Sequence, residues 1–506
     1  MVFGVFFFQG AWPVPDVNEP YYLGKAIHFW NPDWIPGDPF LNSADTHTVF
    51  YFTFGWLSLW LSPWALAWFG RLLTWGLLAW AWRRLSFAFV PRRWFSVLTA
   101  ALFVCFLDRF HMAGEWVVGG VEAKGFAYVL VFLGLEALIH NRWNRVWLLL
   151  GAASAFHVLV GGWSVVAAGI AWLLVRDDRP ELRSMWLALL AGLLLSLPAL
   201  LPSLALTWGI EPQITRRAQE IYVFERLAHH LVPGRFPTTF VDRFLLLVLL
   251  VAILDHVTPR DQLHRRLRMF VIGSLVIAGV GVAIGLVEHF STALAASLLR
   301  FYWFRLSDVA VPLAVALVGS RYLLHELREH PRWGKKALAV AILIAVFHVG
   351  GYALHRTVPT LPRADRVYDN ADRASQMRAY YAWRAACSWV AESGEVPADA
   401  RFLAPRMAQT FKWYAGRSEV VTWKDVPQDA RSIVEWWDEL HDIYAVGDPQ
   451  RGYRWHNSLA ELGPERLKQL GAKYGADYAL TVRWPPVGLP VVYENELYVI
   501  YRMDDR

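Results

Sequence analysis

Phe244-Leu245-Leu246-Leu247-Val248-Leu249-Leu250-Val251-Ala252-Ile253-Leu254 contains no polar side chain, and Ala337–Phe347 is a second run of the same kind. A helix that is apolar on every side has no face to offer water, so it must lie inside a core or a membrane. A hydrocarbon layer about 30 Å thick is crossed by roughly 20 such residues, and by fewer where a helix packs inside a bundle. Segments of this character lie near 64–82, 94–108, 124–140, 145–160, 161–175, 185–207, 241–256, 269–288, 307–321 and 337–355. The whole chain agrees: of 506 residues, 56% are hydrophobic and only 18% charged, where soluble domains carry about a quarter charged. That composition excludes a disordered chain, a collagen-like chain and a disulfide scaffold. The 28 Trp and 30 Phe suit aromatic belts at two membrane interfaces.

The expected fold is therefore a polytopic α-helical membrane protein with about ten to eleven transmembrane helices. Met1–Trp12 is apolar but too short to cross, and it lacks the basic region and cleavage site of a signal peptide. It reads as the outer end of a first helix whose beginning precedes this sequence. The basic residues set the orientation. Arg83, Arg84, Arg92 and Arg93 fall in one short connection, Arg142 and Arg145 in a second, and Arg176, Arg179 and Arg183 in a third. Arg260, Arg265, Arg266 and Arg268 make a fourth, and Arg321, Arg328, Arg332, Lys335 and Lys336 a fifth. All five share one side only if 145–175 is two short helices, with a turn expected at Gly161-Gly162. These connections are then cytoplasmic. The net charge of +6 is thus a matter of topology, and no nucleic-acid partner is implied. Cys105 lies in an apolar run and Cys387 in a polar region, so no disulfide is expected and cysteine says nothing of compartment.

Residues 1–355 form the expected transmembrane domain and 356–506 an α/β domain on the outer side. In the latter, 371–392, Ile433–Tyr444 and Pro464–Tyr474 read as helices. Ala400–Leu403, Val420–Trp423 and Tyr478–Val482 read as strands, with a hairpin of Val491–Tyr493 and Leu497–Tyr501 around Glu494-Asn495.

Chemistry-bearing residues gather in the outer connections. The first opens Asp16-Val17-Asn18-Glu19-Pro20-Tyr21-Tyr22. Burial among aromatics would raise a carboxyl there towards the range of a general base; capping of the helix at Pro20 is the alternative. The second runs from Asp108 to Gly125 and holds His111, Glu115, Glu122 and Lys124 around Gly119-Gly120. Charges at membrane depth point to function, with an ion pair or helix cap as the plainer alternative. His111, Glu115 and Glu122, with Asp16 or Glu19, could hold a divalent cation, Mg or Mn. The third, Gln219–Pro233, reads as an amphipathic interfacial helix whose adjacent His229 and His230 face different ways. The fourth carries Arg300-Phe301-Tyr302-Trp303-Phe304-Arg305, two arginines suited to a lipid-borne phosphate or to snorkelling. His157, inside the apolar segments near Gly161-Gly162, reads as a packed side chain, with lining a cavity as the alternative.

At these residues the chain resembles the GT-C superfamily of integral-membrane glycosyltransferases, which take sugars from polyprenyl-phosphate or polyprenyl-diphosphate carriers. Asn18-Glu19-Pro20-Tyr21-Tyr22 resembles the acidic-acidic-x-x-Tyr signature of protein O-mannosyltransferase relatives. Ala113-Gly114 followed by Val121-Glu122-Ala123 is similar to a loop of oligosaccharyltransferase catalytic subunits. The outer-loop pattern also resembles an uncharacterised bacterial membrane family. The departures are specific: Asn18 stands for the first acid, and no Trp-Trp-Asp-Tyr-Gly run is present, Trp436-Trp437-Asp438 being followed by Glu439-Leu440.

The resemblance implies an inverting transferase that moves a sugar from a polyprenyl-phosphate carrier to an envelope acceptor. It would sit in a bacterial cytoplasmic membrane as a multi-pass protein with membrane lipid and lipid-linked sugar as partners. It implies Glu19, with Asp16 as alternate, as the catalytic carboxylate. Glu122, Lys124, Glu115, His111, Arg300, Arg305, His229 and His230 would bind substrate, and Lys412, Arg417 and Lys424 would meet the acceptor. The competing readings are a non-catalytic scaffold of the same fold and a transporter or flippase of lipid-linked substrates.

Overall fold

The computed structural model describes residues 1–365, 371–448 and 452–503. The chain is mostly helical and divides into two compact units. The first comprises Met1–Ala11, Thr46–Val49 and Phe69–Pro359; the second comprises Trp12–Asp45, Phe50–Trp68 and Thr360–Arg506. The composition boundary at 355/356 thus falls close to a unit boundary, and the first connection belongs with the C-terminal residues.

Helices fall on each apolar segment: Pro63–Phe89, Arg93–Arg109, Ala123–Ile139, Trp143–Phe156, Val158–Leu174, Trp186–Ala205, Thr238–Val257, Gln262–Val287, Arg305–Glu329 and Pro331–His355. Among the described residues, four are long and apolar enough to cross a membrane: Trp186–Ala205, Gln262–Val287, Arg305–Glu329 and Pro331–His355. Pro63–Phe89 and Arg93–Arg109 pass the same test only together, and they bend by 116° at their break. Leu187, Leu193 and Leu194 on one of the four, and Val340, Leu343 and Phe347 on another, are exposed, Phe347 by 76%. Apolar surface of that extent is foreign to soluble monomers and compatible with a lipid solvent.

The basic connections of the first unit are tied together. Arg84 reaches Glu136 at 3.2 Å, and Arg142 reaches the same carboxylate at 4.0 Å. Asn141 donates to Asp178 at 3.2 Å, and Asp178 pairs with Arg266. Asp177 meets Arg265 at 3.0 Å, and Asp261 meets Arg321 at 2.5 Å. One chain of contacts therefore runs through all five, at one end of the helices.

The turn that this sharing requires lies elsewhere than expected. Helices Trp143–Phe156 and Val158–Leu174 break at His157, not at Gly161-Gly162. Gly161 lies within the second helix, where a Cβ would come 2.1 Å from the Ser154 nitrogen. Its role is close packing of the two helices just past their turn. The third connection is helical as expected, but as Pro212–Glu220, a π-turn Ile221–Arg226 and Ala228–Leu231.

In the second unit the strands are β1 Arg401–Leu403, β2 Ser418–Glu419, β3 Ala445–Asp448, β4 Gly452–Trp455, β5 Tyr478–Val482, β6 Val491–Glu494 and β7 Tyr498–Arg502. Five form a mixed sheet in the order β2-β1-β5-β7-β6. Phe402, Tyr478, Leu480, Tyr498 and Ile500 point to one face, as the two-residue period requires. There they meet Trp383, Ala386, Cys387 and Val390 of helix Arg373–Glu392. The expected strand Val420–Trp423 is displaced to Ser418–Glu419, although Val420 still donates to the Phe402 carbonyl at 2.9 Å. The hairpin β3–β4 was not expected.

Lys412 corrects a further expectation. Its ammonium lies 2.9 Å from Glu419, 2.7 Å from Asp425 and 3.6 Å from Asp38, so it is not offered to an acceptor. Arg417 is likewise engaged, donating to the Pro397 and Val396 carbonyls at 2.7 and 3.0 Å. Phe40 lies between Lys412 and Lys25, whose ammonium groups are 5.4 and 4.8 Å from its ring centroid. Burial pushes the Glu419 carboxyl up to about 7 and raises Asp425, against the pull of Lys412. Replacing Lys412 by Met leaves buried carboxylates without their shared cation and should cost about 3–5 kcal/mol. The measurement is hydrogen exchange across 401–425 in the full chain; wild-type protection in that variant contradicts the assignment.

The raised pKa values also fix a sign. The folded unit holds a proton on Glu419 between its ordinary 4.5 and about 7, where the unfolded chain has lost it. Stability therefore rises as pH falls through that window and declines as pH rises. The same exchange experiment should show stronger protection at the acid end of the window; flat protection contradicts it.

Candidate functional site

The connection 110–122 of the first unit depends on residues that can pass close to their neighbours. Gly114 has φ +82, and a Cβ at Gly119 would fall 2.2 Å from the Trp116 ring. Trp75 donates its indole N–H to the Gly119 carbonyl at 2.9 Å. Asp308, on the first turn of Arg305–Glu329, accepts the backbone N–H groups of Met112, Ala113 and Glu115 at 2.8, 2.9 and 3.4 Å. One fully buried carboxylate thus replaces the water that this connection would otherwise need. From the other flank His230 Nδ1 donates to the Ala113 carbonyl at 2.5 Å. Burial lowers the His230 pKa to about 3, so its ring is neutral and the donor is the Nδ1–H.

On this frame sits a buried charged cluster. Glu115 Oε2 lies 2.9 Å from Arg305 Nε, and Glu115 Oε1 lies 3.4 Å from Lys124 Nζ. Tyr128 donates its hydroxyl to Oε1 at 3.4 Å. Lys124 also lies 3.5 Å from Glu122 and 4.1 Å from the centre of the Trp116 ring. Arg305 donates from Nη1 to His157 Nε2 at 3.1 Å and stacks on Tyr302 at 4.1 Å. The His47 and His157 rings are 5.7 Å apart. Glu115, Glu122 and Lys124 are each no more than 6% exposed. Two cations and two carboxylates are thereby concentrated where solvent does not screen them. Such a group can bind an oxyanion, orient a hydroxyl and accept its proton.

The cluster unites Glu115, Glu122, Lys124 and Arg305 from the sequence-derived residues, with His230 supporting it through Ala113. Its other members are Asp308, His157, Tyr128 and His47. His157 is a working partner of Arg305 as well as a packed side chain. The available signal for Asp308 was an acid three residues after Arg305, on the same turn of an apolar helix.

The remaining residues make other contacts. His111 packs edge-on against Phe240 with ring centres 4.9 Å apart, and burial lowers its pKa. Arg300 lies over Phe301, 5.4 Å from the ring centre. The His229 and His230 rings are 4.1 Å apart, so they do not diverge as expected. Among the described residues no group of three His, Cys, Asp or Glu is placed to hold a metal. Between Glu115 and Glu122 the charge is met by Lys124.

Asp16 and Glu19 belong to the second unit and are fully buried. Arg363 grips Asp16 with both ends of its guanidinium, at 2.6 and 2.5 Å. Glu19 Oε2 accepts the Asp16 N–H at 2.7 Å, and Asp16 O accepts the Glu19 N–H at 3.0 Å. This reciprocal turn precedes helix Glu19–Trp30, whose N-cap is Asn18 with no side-chain cap hydrogen bond and whose first turn carries Glu19.

Residues 381–443, within the second unit, match a domain of unknown function, DUF6798. No curated protein matches the chain.

The support by Asp308 is directly testable. Asparagine keeps its shape but lacks the charge and presents an N–H₂ to backbone donors. Asp308→Asn should weaken charge-assisted bonds of about 1.5–3 kcal/mol each. Amide exchange at Met112 and Ala113 should then accelerate while the flanking helices stay protected. Unchanged exchange at both amides contradicts the assignment.

Proposed function

We propose that this chain is an integral-membrane glycosyltransferase of the GT-C type, transferring a sugar from a polyprenyl-phosphate carrier to a hydroxyl of an envelope acceptor. In this reading the helices form about ten to eleven spans of a bacterial cytoplasmic membrane, with the basic connections inside and the C-terminal unit outside. The observation that carries it is the placement of Arg305 and Lys124 on Glu115, buried at the end of the helices opposite the basic connections. A lipid-borne phosphate can reach a cation pair at the end of a span without its tail leaving the bilayer. The aromatic faces of Tyr302 and Trp116 beside those cations suit the first isoprene units or the sugar ring.

The chemistry needs a base, an oxyanion site and an in-line attack. Glu122 is the candidate base. Glu115 is taken up by Arg305, Lys124 and Tyr128 and serves to position the cations. The acceptor O–H passes its proton to the Glu122 carboxylate as oxygen attacks the anomeric carbon. The bond from that carbon to the phosphate oxygen breaks, and its electron pair leaves on the phosphate. Arg305 and Lys124 meet the charge that develops there. Glu19 and Asp16 serve the turn that holds them, and no step requires a metal.

A second reading has one observation in its favour: the cluster's acids are each met by a cation or by backbone N–H groups. The cluster would then be a structural lock in a non-catalytic protein of the same fold.

The test uses purified protein in nanodiscs with radiolabelled undecaprenyl-phosphate sugars and an envelope extract as acceptor. Wild type should release label from lipid, and Glu122→Gln should slow release roughly 10²–10⁴-fold. Glu19→Gln should retain activity if it folds, as judged by gel filtration. Equal release by Glu122→Gln overturns the base. No release over a broad donor panel, with a lowered unfolding temperature in Glu122→Gln, establishes the structural lock.

A further inference from the structure

The second unit contains a cavity of ≈ 50 Å³, walled by one face of helix Arg373–Glu392. Gln376, Tyr380 and Trp383 line it at the spacing of successive helical turns, with Thr410 and Tyr498 across from them and Asp365 beside them. The Asp365 carboxylate is held in place. Thr410 donates to one oxygen at 2.6 Å, and Tyr414 donates to the other at 2.7 Å. Trp383 donates in turn to Thr410 at 3.0 Å. These donors are all neutral. Among the described residues no Lys or Arg forms an ion pair with Asp365, and the nearby Arg384 is stacked on the Tyr414 ring at 3.9 Å. Among the described residues, an anion fixed by neutral donors, partly buried and facing aromatic walls, has no ion-pair partner.

We propose that this cavity binds a primary alkylammonium group, with the ammonium on Asp365 and its methylenes against Tyr380, Trp383 and Tyr498. The volume matches such a tip: a cavity needs about 10–15 Å³ for each water-sized group, so this one takes the ammonium and the few atoms nearest it, while the rest of a larger molecule stays outside. Aromatic faces attract a cation as well as its methylenes. A charge-assisted bond to a fixed carboxylate is stronger than one to a neutral group. The same chemistry is presented by an ethanolamine lipid headgroup and by an amino sugar. The inference does not depend on the transferase reading, because every residue in it belongs to the second unit.

Burial raises the Asp365 pKa to about 6, which gives the binding a pH signature. Among the described residues, the other titratable groups facing that carboxylate are Arg384, Tyr380 and Cys387 on the helix, and Tyr414. Tyr380, Tyr414 and Cys387 all have raised pKa values and stay neutral through this range. Binding should be present above the Asp365 pKa and lost as pH falls through it.

The experiment is isothermal titration of the full chain in detergent with ethanolamine and glucosamine, against the neutral comparators ethylene glycol and glucose. Both ammonium compounds should bind, the neutral ones should not, and Asp365→Asn should weaken binding roughly tenfold or more. Nanodiscs with and without phosphatidylethanolamine separate the sources: if the lipid is the occupant, it will compete with added ethanolamine, and if an amino sugar is, glucosamine affinity will be the same in both. Equal affinity for ammonium and neutral compounds overturns the proposal. So does wild-type binding by an Asp365→Asn protein whose unfolding temperature is unchanged. The conservative Tyr380→Phe, which keeps the ring, should bind as wild type does.

Discussion

A carboxylate with almost no exposure, Glu115, lies between Lys124 and Arg305, and the first unit is arranged around keeping those three together. Removing charges from water costs several kcal/mol per ion, so none of the three can be buried singly. Their geometry depends in turn on a connection whose backbone is held by Asp308, and Asp308 shares a helical turn with Arg305. One turn of one helix therefore supplies both the cation and the anchor for the loop that presents its anion.

Buried ion pairs are weak contributors to stability, and apolar side chains of the same size often do as well or better. A charged cluster at the end of apolar helices is therefore poorly explained by folding alone. The ties among the basic connections are different in kind. Arg84 and Arg142 are exposed, and exposed pairs contribute about 0–1 kcal/mol, although Arg266, which meets Asp178, is buried. At the other end Glu115, Lys124 and Arg305 are all largely buried.

The helices were legible because apolar length is a local property of the chain. Each apolar run became a helix, and the arginine pattern predicted which connections meet. The break at His157 was misplaced because glycine pairs signal turns as readily as close packing, and only the neighbouring helix at Ser154 decides between them. The site was legible in its composition but not in its membership. Glu115, Glu122, Lys124 and Arg305 announced themselves as charges beside apolar runs. Asp308 and His157 went unassigned because nothing local shows that Asp308 meets the backbone of 112–113 or that His157 meets Arg305. Asp16 and Glu19 carried the family-like motif, yet a guanidinium distant in sequence, Arg363, completes the turn that holds them. The hairpin β3–β4 escaped because its strands are short and lack clear alternation. Lys412 seemed an exposed base among strand edges, and only the fold brings three acids to it.

On the proposed function, Arg305 and Lys124 form a phosphate site at the connection 110–122. Hydrogen exchange of the full chain in nanodiscs tests it most directly, comparing undecaprenyl phosphate with the uncharged alcohol undecaprenol. The account predicts that the phosphate slows exchange across 110–122 and the start of Arg305–Glu329, that the alcohol does not, and that Arg305→Ala abolishes the difference. Identical exchange with phosphate and alcohol would contradict it.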